Sequence, residues 1–296
     1  MKSSHLTRKK QSLLHPIESL GIVTASRGDI RAEKLEDRLQ PKVPFPHKHD
    51  FFQIVFLFKG KGSHEIDFTK HSVRTGDVYI VKPGQVHKWI LDKSTRGCIV
   101  EFYQESLSLD SVEQDMFRSL CESADLLRAT SDVKNLESLC DQMRSEFKSQ
   151  KIGHQSVLKS LLNVMMVSLY RLEQGTLKAS DRKQAMIKRG NSFIWELESL
   201  IESNFTKHHN VEFYAQSLKV SPKALTMRVL RLLDKSARDL IQERCLLEAR
   251  RYLGYSNLSI VEISERLGFE DANYFTRLFR LKTGVTPGAF RKSVRN

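Results

Sequence analysis

The pattern of hydrophobic and polar positions divides the first 175 residues or so into a region that predicts β-strands and a region that predicts helices. Phe51–Phe58 is a continuous apolar run closed by glycines, which predicts a strand buried on both faces. Segments of alternating polarity separated by turn residues predict an antiparallel β barrel or jelly roll over about residues 20–105. The charged residues 1–40 predict an arm with one or two strands. Beyond Ser106 the pattern predicts helices only, over about residues 110–175, with breaks near Ser131–Asp132 and Gly153.

The last of these helices, about Gln155–Gln174, carries two apolar stripes. The first is a heptad seam of Leu158, Leu162, Met165, Leu169 and Leu172. The second consists of Val157, Leu161 and Val164. One neighbouring helix does not need that much apolar surface, so the seam predicts a homodimer interface. The alternative is that both stripes belong to the core of a single chain.

A change in composition predicts the boundary between two domains. Residues 1–175 form the first domain, and the polar, basic stretch 176–191 is a linker. Residues 192–296 show helical periodicity throughout, beginning with an apolar face on Phe193–Phe205. The predicted fold class is therefore α+β with two domains, the second of them all-α.

The second domain contains a pattern typical of a helix-turn-helix. Ser259 and Glu262 predict a capping box, Gly268 ends that short helix, and a second helix follows from about Asp271 to Leu281. The inward face of the second helix consists of Phe275, Leu278 and Phe279. Its outward face consists of Ala272, Asn273, Thr276, Arg277 and Arg280. That face is cationic and nearly free of carboxylates, as a major groove requires.

An earlier copy of the same pattern precedes it. Leu225 pairs with Phe275 and Val229 with Phe279, so both inward faces align. The outward residues of the first copy are Lys223, Thr226, Met227 and Arg231. A helical segment, about Ala237–Tyr252, lies between the copies and predicts a rigid spacer. Two reading helices on one spacer can enter successive major grooves, which lie roughly 34 Å apart.

Charge supports a polyanionic partner. The formal net charge is +13 and the sequence pI is about 9.6, which favours double-stranded DNA or an anionic membrane. The chain has no basic amphipathic helix with an aromatic apolar face and no apolar run long enough to span a bilayer, so we expect no membrane partner. Asn273 suits adenine, and Arg277 or Arg280 suits guanine, although each could instead contact a phosphate. Four scattered cysteines and a start without a signal-peptide core predict reduced thiols and a cytoplasmic location.

The stretch from about Phe193 to Val294 resembles the DNA-binding domain of AraC/XylS-family transcription regulators, most specifically at SIVEISERLGFEDANYFTRLFRLKTGVTPGAFR. The resemblance implies that each outward face named above enters a major groove and that RNA polymerase is a partner. The first copy departs from the pattern, because Asp234 replaces Gly284 and Leu230 replaces Arg280. We expect Asp234 to tolerate the left-handed turn, and we expect Leu230 to weaken reading by the first copy.

The first domain resembles the cupin-like sensor domain of such regulators. The matching residues are His47, His49, Gln53, Gly60, Gly76, Pro83, Gly84 and His87. In metal cupins, three such histidines and a glutamate hold a divalent ion, but neutral Gln53 stands at the glutamate position. We therefore predict no cofactor and keep a metal at His47, His49 and His87 as the alternative. The predicted pocket for a small-molecule effector of unknown identity comprises His47, His49, Gln53, Phe56, Tyr79, His87 and Trp89.

Three functions fit these features. The favoured one is a non-enzymatic, sequence-specific transcription regulator controlled by an effector in the cupin-like domain. A metal-dependent cupin enzyme fused to a DNA-binding module is the second, and it requires bound metal. An effector-independent DNA binder is the third, and an architectural form of it would bind all sequences alike.

Overall fold

The computed structural model describes residues 15–16, 26–38, 45–107, 109–123, 125–129, 133–176 and 192–295. The described residues form two compact units, an N-terminal unit that ends at Thr176 and a C-terminal unit that begins at Ser192. Residues 1–14, 17–25 and 39–40 of the predicted arm, the break near Ser131–Asp132 and the linker beyond Thr176 lie outside the described residues. The described part of residues 1–40 includes two strands, His15–Pro16 and Ile30–Lys34.

Two five-stranded sheets form the body of the N-terminal unit. The strands are β1 (His15–Pro16), β2 (Ile30–Lys34), β3 (His47–Lys48), β4 (Phe52–Lys59), β5 (Gly62–Ile66), β6 (Thr69–Val73), β7 (Asp77–Val81), β8 (His87–Leu91), β9 (Arg96–Phe102) and β10 (Leu126–Arg128). One sheet has the order β1-β3-β8-β5-β6 and the other β10-β7-β4-β9-β2. The pairings between described strands are antiparallel except for the short β1–β3 pair. This confirms the predicted antiparallel barrel or jelly roll.

Strand β4 shows why one apolar run can serve two cores. Its residues point alternately to opposite faces. Phe52, Ile54 and Phe56 join a core shared with the helices, whereas Val55 and Leu57 lie in the core between the two sheets. All five are buried, which confirms the prediction that this strand is covered on both faces.

The short helix α1 (Leu35–Arg38) follows β2, and its Leu35 packs in the core between the two sheets. The opposite face of the second sheet is covered by α2 (Ser111–Ser123), α3 (Val133–Ser149) and α4 (His154–Thr176), and a 3-10 turn spans Gln104–Ser106. The prediction that the region after Ser106 is only helical was wrong, because β10 follows α2 and pairs with β7. Its three residues are too few to show a period in the sequence. Gly153 does break the helical region, with φ of +83° just before α4.

The heptad seam of α4 belongs to the chain's own core. Leu158, Leu162, Met165, Leu169 and Leu172 are each at most 8% exposed and pack in the cluster that includes α2, α3 and the second sheet. The assignment of these five side chains to a dimer interface was therefore wrong, since buried side chains cannot meet a second copy. The second stripe is the open one, with Val157 44% and Val164 54% exposed.

The C-terminal unit is helical throughout its described length. Its helices are α5 (Ser192–Asn204), α6 (Val211–Ser217), α7 (Pro222–Leu233), α8 (Ala237–Tyr255), α9 (Ile260–Arg266), α10 (Ala272–Thr283) and α11 (Pro287–Arg295). Pairs α6–α7 and α9–α10 are the two predicted helix-turn-helix copies, and α8 is the spacer between them. One apolar core joins residues from α5 to α10. Within the described ranges of both units, we find no helix long and apolar enough to cross a membrane.

Candidate functional site

Helix α10 presents a polar face to solvent above an aromatic core. The Asp271 carboxylate accepts the backbone amide of Asn273 at 2.8 Å and caps the start of the helix. The buried face consists of Phe275, Leu278 and Phe279. The outward face has Asn273, Arg277 and Arg280 exposed, with Ala272 and Thr276 half-buried at its edge. Among residues 192–295, none therefore covers the three side chains best suited to contact base edges.

The turn before α10 is fixed by a close backbone approach. Gly268 has φ of +79°, and a Cβ there would lie 2.0 Å from the Thr206 carbonyl oxygen. The His209 ring contacts the same turn, because its Nε2 lies 2.8 Å from the Leu267 carbonyl oxygen. These contacts tie α9–α10 to the loop that precedes α6, so the two helix-turn-helix copies share one rigid junction.

Helix α7 has the same construction with different chemistry on its outward face. The Ser221 hydroxyl accepts the Ala224 amide at 3.1 Å, and Pro222 occupies the first turn. The outward face has Lys223, Met227 and Arg231 exposed and Thr226 half-buried. Asp234 ends the helix with φ of +54°, so it adopts the left-handed conformation that Gly284 adopts after α10.

The spacer helix α8 is tied to α10 and α5 by ion pairs, and it shares an apolar core with α7. The helix begins with a capping box, in which the Ser236 and Asp239 side chains each accept the other's backbone amide. The Asp239 carboxylate also accepts the Lys282 ammonium of α10 at 2.5 Å. Further along, Glu248 pairs with Arg244 and Arg251, and the Arg244 guanidinium also binds Glu202 of α5. The ion pair with Lys282 joins α8 to α10. Leu225 and Val229 of α7 lie in the same apolar cluster as Ala237 and Ile241 of α8, so the outward faces of α7 and α10 are held in a fixed relation.

A groove of about 670 Å³ runs between α8 and α10. Its lining residues include Arg238, Gln242, Tyr274, Arg277, Leu281 and Lys282. Arg238 is exposed beside Arg277 and was not among the residues singled out from the sequence. A cation in the first turn of the spacer helix was the only available signal, because the folding of α8 against α10 brings it to this surface.

Two cations near the carboxyl end of the chain have structural partners. The Arg291 guanidinium donates to the Leu258 carbonyl, and Arg295 donates to the carbonyls of Gly254 and Ser256. They bind α11 to the end of α8 and the loop that follows. Much of the positive charge of this tail is therefore engaged in holding the helices together.

The N-terminal unit buries a cluster of polar and aromatic side chains between its two sheets, which we call the histidine chamber. Its members are His47, His49, Gln53, His64, Tyr79, His87, Trp89 and Glu101. The His47 and His87 ring centroids lie 4.2 Å apart, and those of His49 and His87 lie 5.1 Å apart. His64 stacks on Trp89 at 3.3 Å, and Tyr79 meets Trp89 edge-on.

Hydrogen bonds fix the orientation of the imidazoles in the chamber. The His49 Nδ1 lies 2.7 Å from the Phe51 carbonyl oxygen and must donate to it, so its Nε2 is a bare acceptor. That Nε2 and the Gln53 Oε1 are buried without a hydrogen-bond partner. Buried acceptors in this state cost roughly 1–3 kcal/mol each, a cost that a donating ligand would recover.

Burial keeps the imidazoles of the chamber neutral. It lowers the pKa of His49 to about 3 and holds the pKa values of His64 and His87 well below the usual range. Burial likewise lowers the pKa of His47, opposed by the Phe45 carbonyl. The chamber therefore offers acceptors and aromatic surface instead of positive charge.

Glu101 is the buried carboxylate that the sequence reasoning missed. It is paired in register with Gln53 across β4 and β9, accepts the Gln53 amide at 3.3 Å, and lies 3.2 Å from Arg38. Burial raises the pKa of Glu101, and the Arg38 guanidinium opposes that rise. Its position in a distant strand left no local motif. His64 was missed for the same reason.

Phe56 was wrongly assigned to the pocket. It lies on the face of β4 that packs against the helices, in the core shared with Phe52 and Ile54. The other six predicted residues do come together around the chamber. In the described part of the chain, no group of three or more His, Cys, Asp or Glu side chains is arranged to hold a metal ion.

Comparison with known proteins matches both units. A family model described as an AraC-like ligand binding domain matches residues 34–162, and a helix-turn-helix domain model matches residues 214–293. The HTH-type transcriptional activator RhaR of Mannheimia succiniciproducens is 26% identical over 261 residues, covering 86% of this chain and 90% of the relative. The uncharacterized HTH-type transcriptional regulator YfiF of Bacillus subtilis is 24% identical and covers 83% of this chain and 78% of the relative.

Among solved structures, the C-terminal domain of AraT, a response regulator from Geobacillus stearothermophilus, is 27% identical to this chain. The match covers 35% of this chain and 86% of that domain, with a TM-score of 0.33.

Proposed function

The chain belongs to the AraC family of transcription regulators, with a ligand-binding domain and a helix-turn-helix DNA-binding domain, and on that premise we propose how each unit works. The C-terminal unit reads two successive major grooves of one duplex, α7 in one groove and α10 in the next. The observation that carries this proposal is the pair of outward faces held in fixed relation by α8. That relation is fixed by the Asp239–Lys282 ion pair, by the close approach at Gly268 and by the apolar core that α7 shares with α8.

Base edges and phosphates have different ligands in this arrangement. Asn273 and Arg277 lie exposed near the middle of the outward face of α10, where an amide suits adenine and a guanidinium suits guanine. Arg238 lies at the side of that face, in the groove beside α8, and suits a phosphate. Readout of purines by hydrogen bonds therefore rests on α10, and Arg238 adds affinity that is independent of sequence.

The experiment that tests this reading uses Arg277→Ala on a site selected from random duplexes. We expect the variant to lose about 1–3 kcal/mol of discrimination at one or two base pairs and to keep its affinity for random DNA. Arg266→Ala, which removes an exposed cation of α9, is the matched control and should leave discrimination intact. Equal losses on selected and random DNA would make Arg277 a phosphate ligand and defeat the assignment.

For the N-terminal unit, we propose that the histidine chamber binds a neutral organic effector that donates hydrogen bonds. The bare acceptors at His49 Nε2 and Gln53 Oε1 support this, together with the aromatic wall formed by Trp89 and the His64 ring stacked on it. Binding shifts the regulator between states only if the effector has a different affinity for each state. Gln53→Leu should abolish the response to the effector while DNA binding by the C-terminal unit remains.

A metal ion is the competing occupant of this chamber. Three of its imidazoles have Nδ1 hydrogen-bonded, to Phe45, to Phe51 and to His64, which is the orientation that metal-bound histidines adopt. Elemental analysis of the purified chain decides between the two. We expect substoichiometric Fe, Mn, Ni, Cu and Zn, and one equivalent of any of them, lost in His49→Phe, would replace the organic effector with a metal and revive the enzyme alternative.

We also propose the assembly and setting of the regulator. A second copy docks on the second stripe of α4, at exposed Val157 and Val164 with half-buried Leu161 between them, since the seam beside it is occupied by the chain's own core. The chain works in the cytoplasm without catalytic activity and activates transcription by contacting RNA polymerase. The name of the RhaR relative as a transcriptional activator supports the direction of control.

A further inference from the structure

The two outward faces differ most at their centres. Leu225 and Val229 of α7 are fully buried, as are their counterparts Phe275 and Phe279 of α10. The inward faces therefore fix a common helical phase, and in that phase Met227 and Leu230 occupy the positions of Arg277 and Arg280. Met227 is 56% exposed and Leu230 is 51% exposed. Where the second copy has two guanidinium groups, the first copy has two adjacent apolar side chains.

These two side chains are not needed by the core of the C-terminal unit. Met227 and Leu230 are separated by three positions, so they lie side by side on one face of α7. The neighbouring Arg228 is turned away from that face, because its guanidinium lies 4.0 Å above the Phe193 ring of α5. Lys223 and Arg231 remain exposed on either side. Helix α7 therefore presents to a DNA groove an apolar centre, Met227 and Leu230, with a cation on either side.

Only one feature of the major groove complements such a centre. Methionine and leucine cannot donate to the guanine O6 and N7 or pair with the adenine edge, but they can bury the 5-methyl group of thymine. Methionine adapts its shape to a flat edge through three rotatable bonds. We propose that the first helix-turn-helix reads thymine methyl groups through Met227 and Leu230, whereas the second reads purines by hydrogen bonds.

The inference rests on the proposed function, since α7 must lie in a major groove for it to hold. The sequence analysis expected Leu230 to weaken DNA reading by the first copy, whereas this inference gives Leu230 a base contact of its own. The lost cation is replaced by a contact that discriminates A·T from G·C by apolar burial, and phosphate affinity stays with Lys223 and Arg231.

The test replaces thymine by deoxyuridine, which removes the methyl group and leaves base pairing unchanged. The full chain first selects its site from random duplexes. Arg277→Ala and Arg280→Ala then identify the half of the site read by α10. Each thymine in the other half is replaced in turn. We expect at least one replacement to weaken binding by about 3- to 5-fold, the effect of exposing one buried methyl group.

Variants separate this contact from general binding. Met227→Ala or Leu230→Ala should bind the thymine and deoxyuridine duplexes alike at that position, because the apolar partner is gone. Val261→Ala removes an aliphatic side chain that is 53% exposed on α9, away from the reading faces, and should retain the full penalty. Unchanged affinity for random duplexes and an unchanged thermal transition would show that the variants are folded.

Distinct outcomes overturn distinct statements. Specific binding with the expected Arg277 effect, but no penalty for deoxyuridine in the first half, overturns the methyl contact and leaves the proposed function standing. A penalty that persists in both Met227→Ala and Leu230→Ala overturns it as well. Failure to select any specific site overturns the proposed function and this inference together.

Discussion

Buried imidazoles set the chemistry of the N-terminal unit at the scale of single residues. His47, His49, His64 and His87 lie in one chamber, and burial lowers the pKa of each below its usual value near 6.5. In the unfolded chain these imidazoles become protonated as the pH falls below about 6.5. In the folded chain, burial opposes their protonation, so it requires a lower pH. Their contribution to stability is therefore complete above about pH 6.5 and is lost as the pH falls below it.

Acidification should destabilise this unit, and the slope of its unfolding free energy against pH should increase with the number of buried histidines. Each neutral imidazole contributes up to about 1.4 kcal/mol of unfolding free energy per pH unit between its unfolded and folded pKa values. Trp195→Phe leaves Trp89 as the sole tryptophan of the chain, so urea unfolding followed by its fluorescence reports the chamber. In that background, His49→Phe should reduce the slope between pH 6.5 and 5.5. An identical slope in both proteins would contradict the assignment.

At the scale of elements, the helix ends of the C-terminal unit follow from single residues. Gly268 and Gly284 both have positive φ, but their surroundings differ. A Cβ at Gly268 would overlap the Thr206 carbonyl oxygen, whereas a Cβ at Gly284 would meet nothing within 4 Å. The first glycine is required by packing and by backbone conformation, and the second by conformation alone.

Alanine substitutions at these two glycines should separate the two causes. Gly284→Ala should cost about 1 kcal/mol of unfolding free energy, from backbone strain alone. Gly268→Ala should cost several times more, since the loop before α6 must move, and it should weaken binding to selected DNA. Thermal unfolding of both variants measures the difference. Equal shifts in the transition temperature would show that the close approach at Gly268 is relieved cheaply.

The same scale shows how far the sequence predicts this molecule. Capping residues such as Ser259 and Glu262 act locally, and the structure has the predicted capping box there. The inward and outward faces of α10 follow from periodicity, which is also local. The errors concern contacts between distant segments. The occupant of the α4 seam, the face on which Phe56 lies and the pairing of Gln53 with Glu101 depend on sheet register and helix docking, which no short window of sequence contains.

At the scale of the whole molecule, the proposed dimer depends on one face of α4. Helix α4 uses its seam internally and exposes Val157 and Val164. A pair of apolar side chains on an exposed helix face is the surface available for a second copy, and dimerisation would double the number of grooves that the regulator reads.

Two double substitutions test this view of α4. Val157→Glu with Val164→Glu should give folded monomers, because only the exposed stripe changes. Leu162→Glu with Leu169→Glu should unfold the N-terminal unit, since both side chains are at most 1% exposed in its core. Sedimentation and circular dichroism distinguish the two results. A dimer that persists in the valine variant would place the interface elsewhere.

The carboxyl end of the chain has a practical consequence for work with this protein. Arg291 and Arg295 donate to backbone oxygens at the end of α8 and in the loop after it, so the last turns of α11 hold the spacer helix in place. Deleting those turns, or crowding them with a fused purification tag, would break these hydrogen bonds. Affinity for the DNA site would then change although every side chain on the outward faces of α7 and α10 is intact.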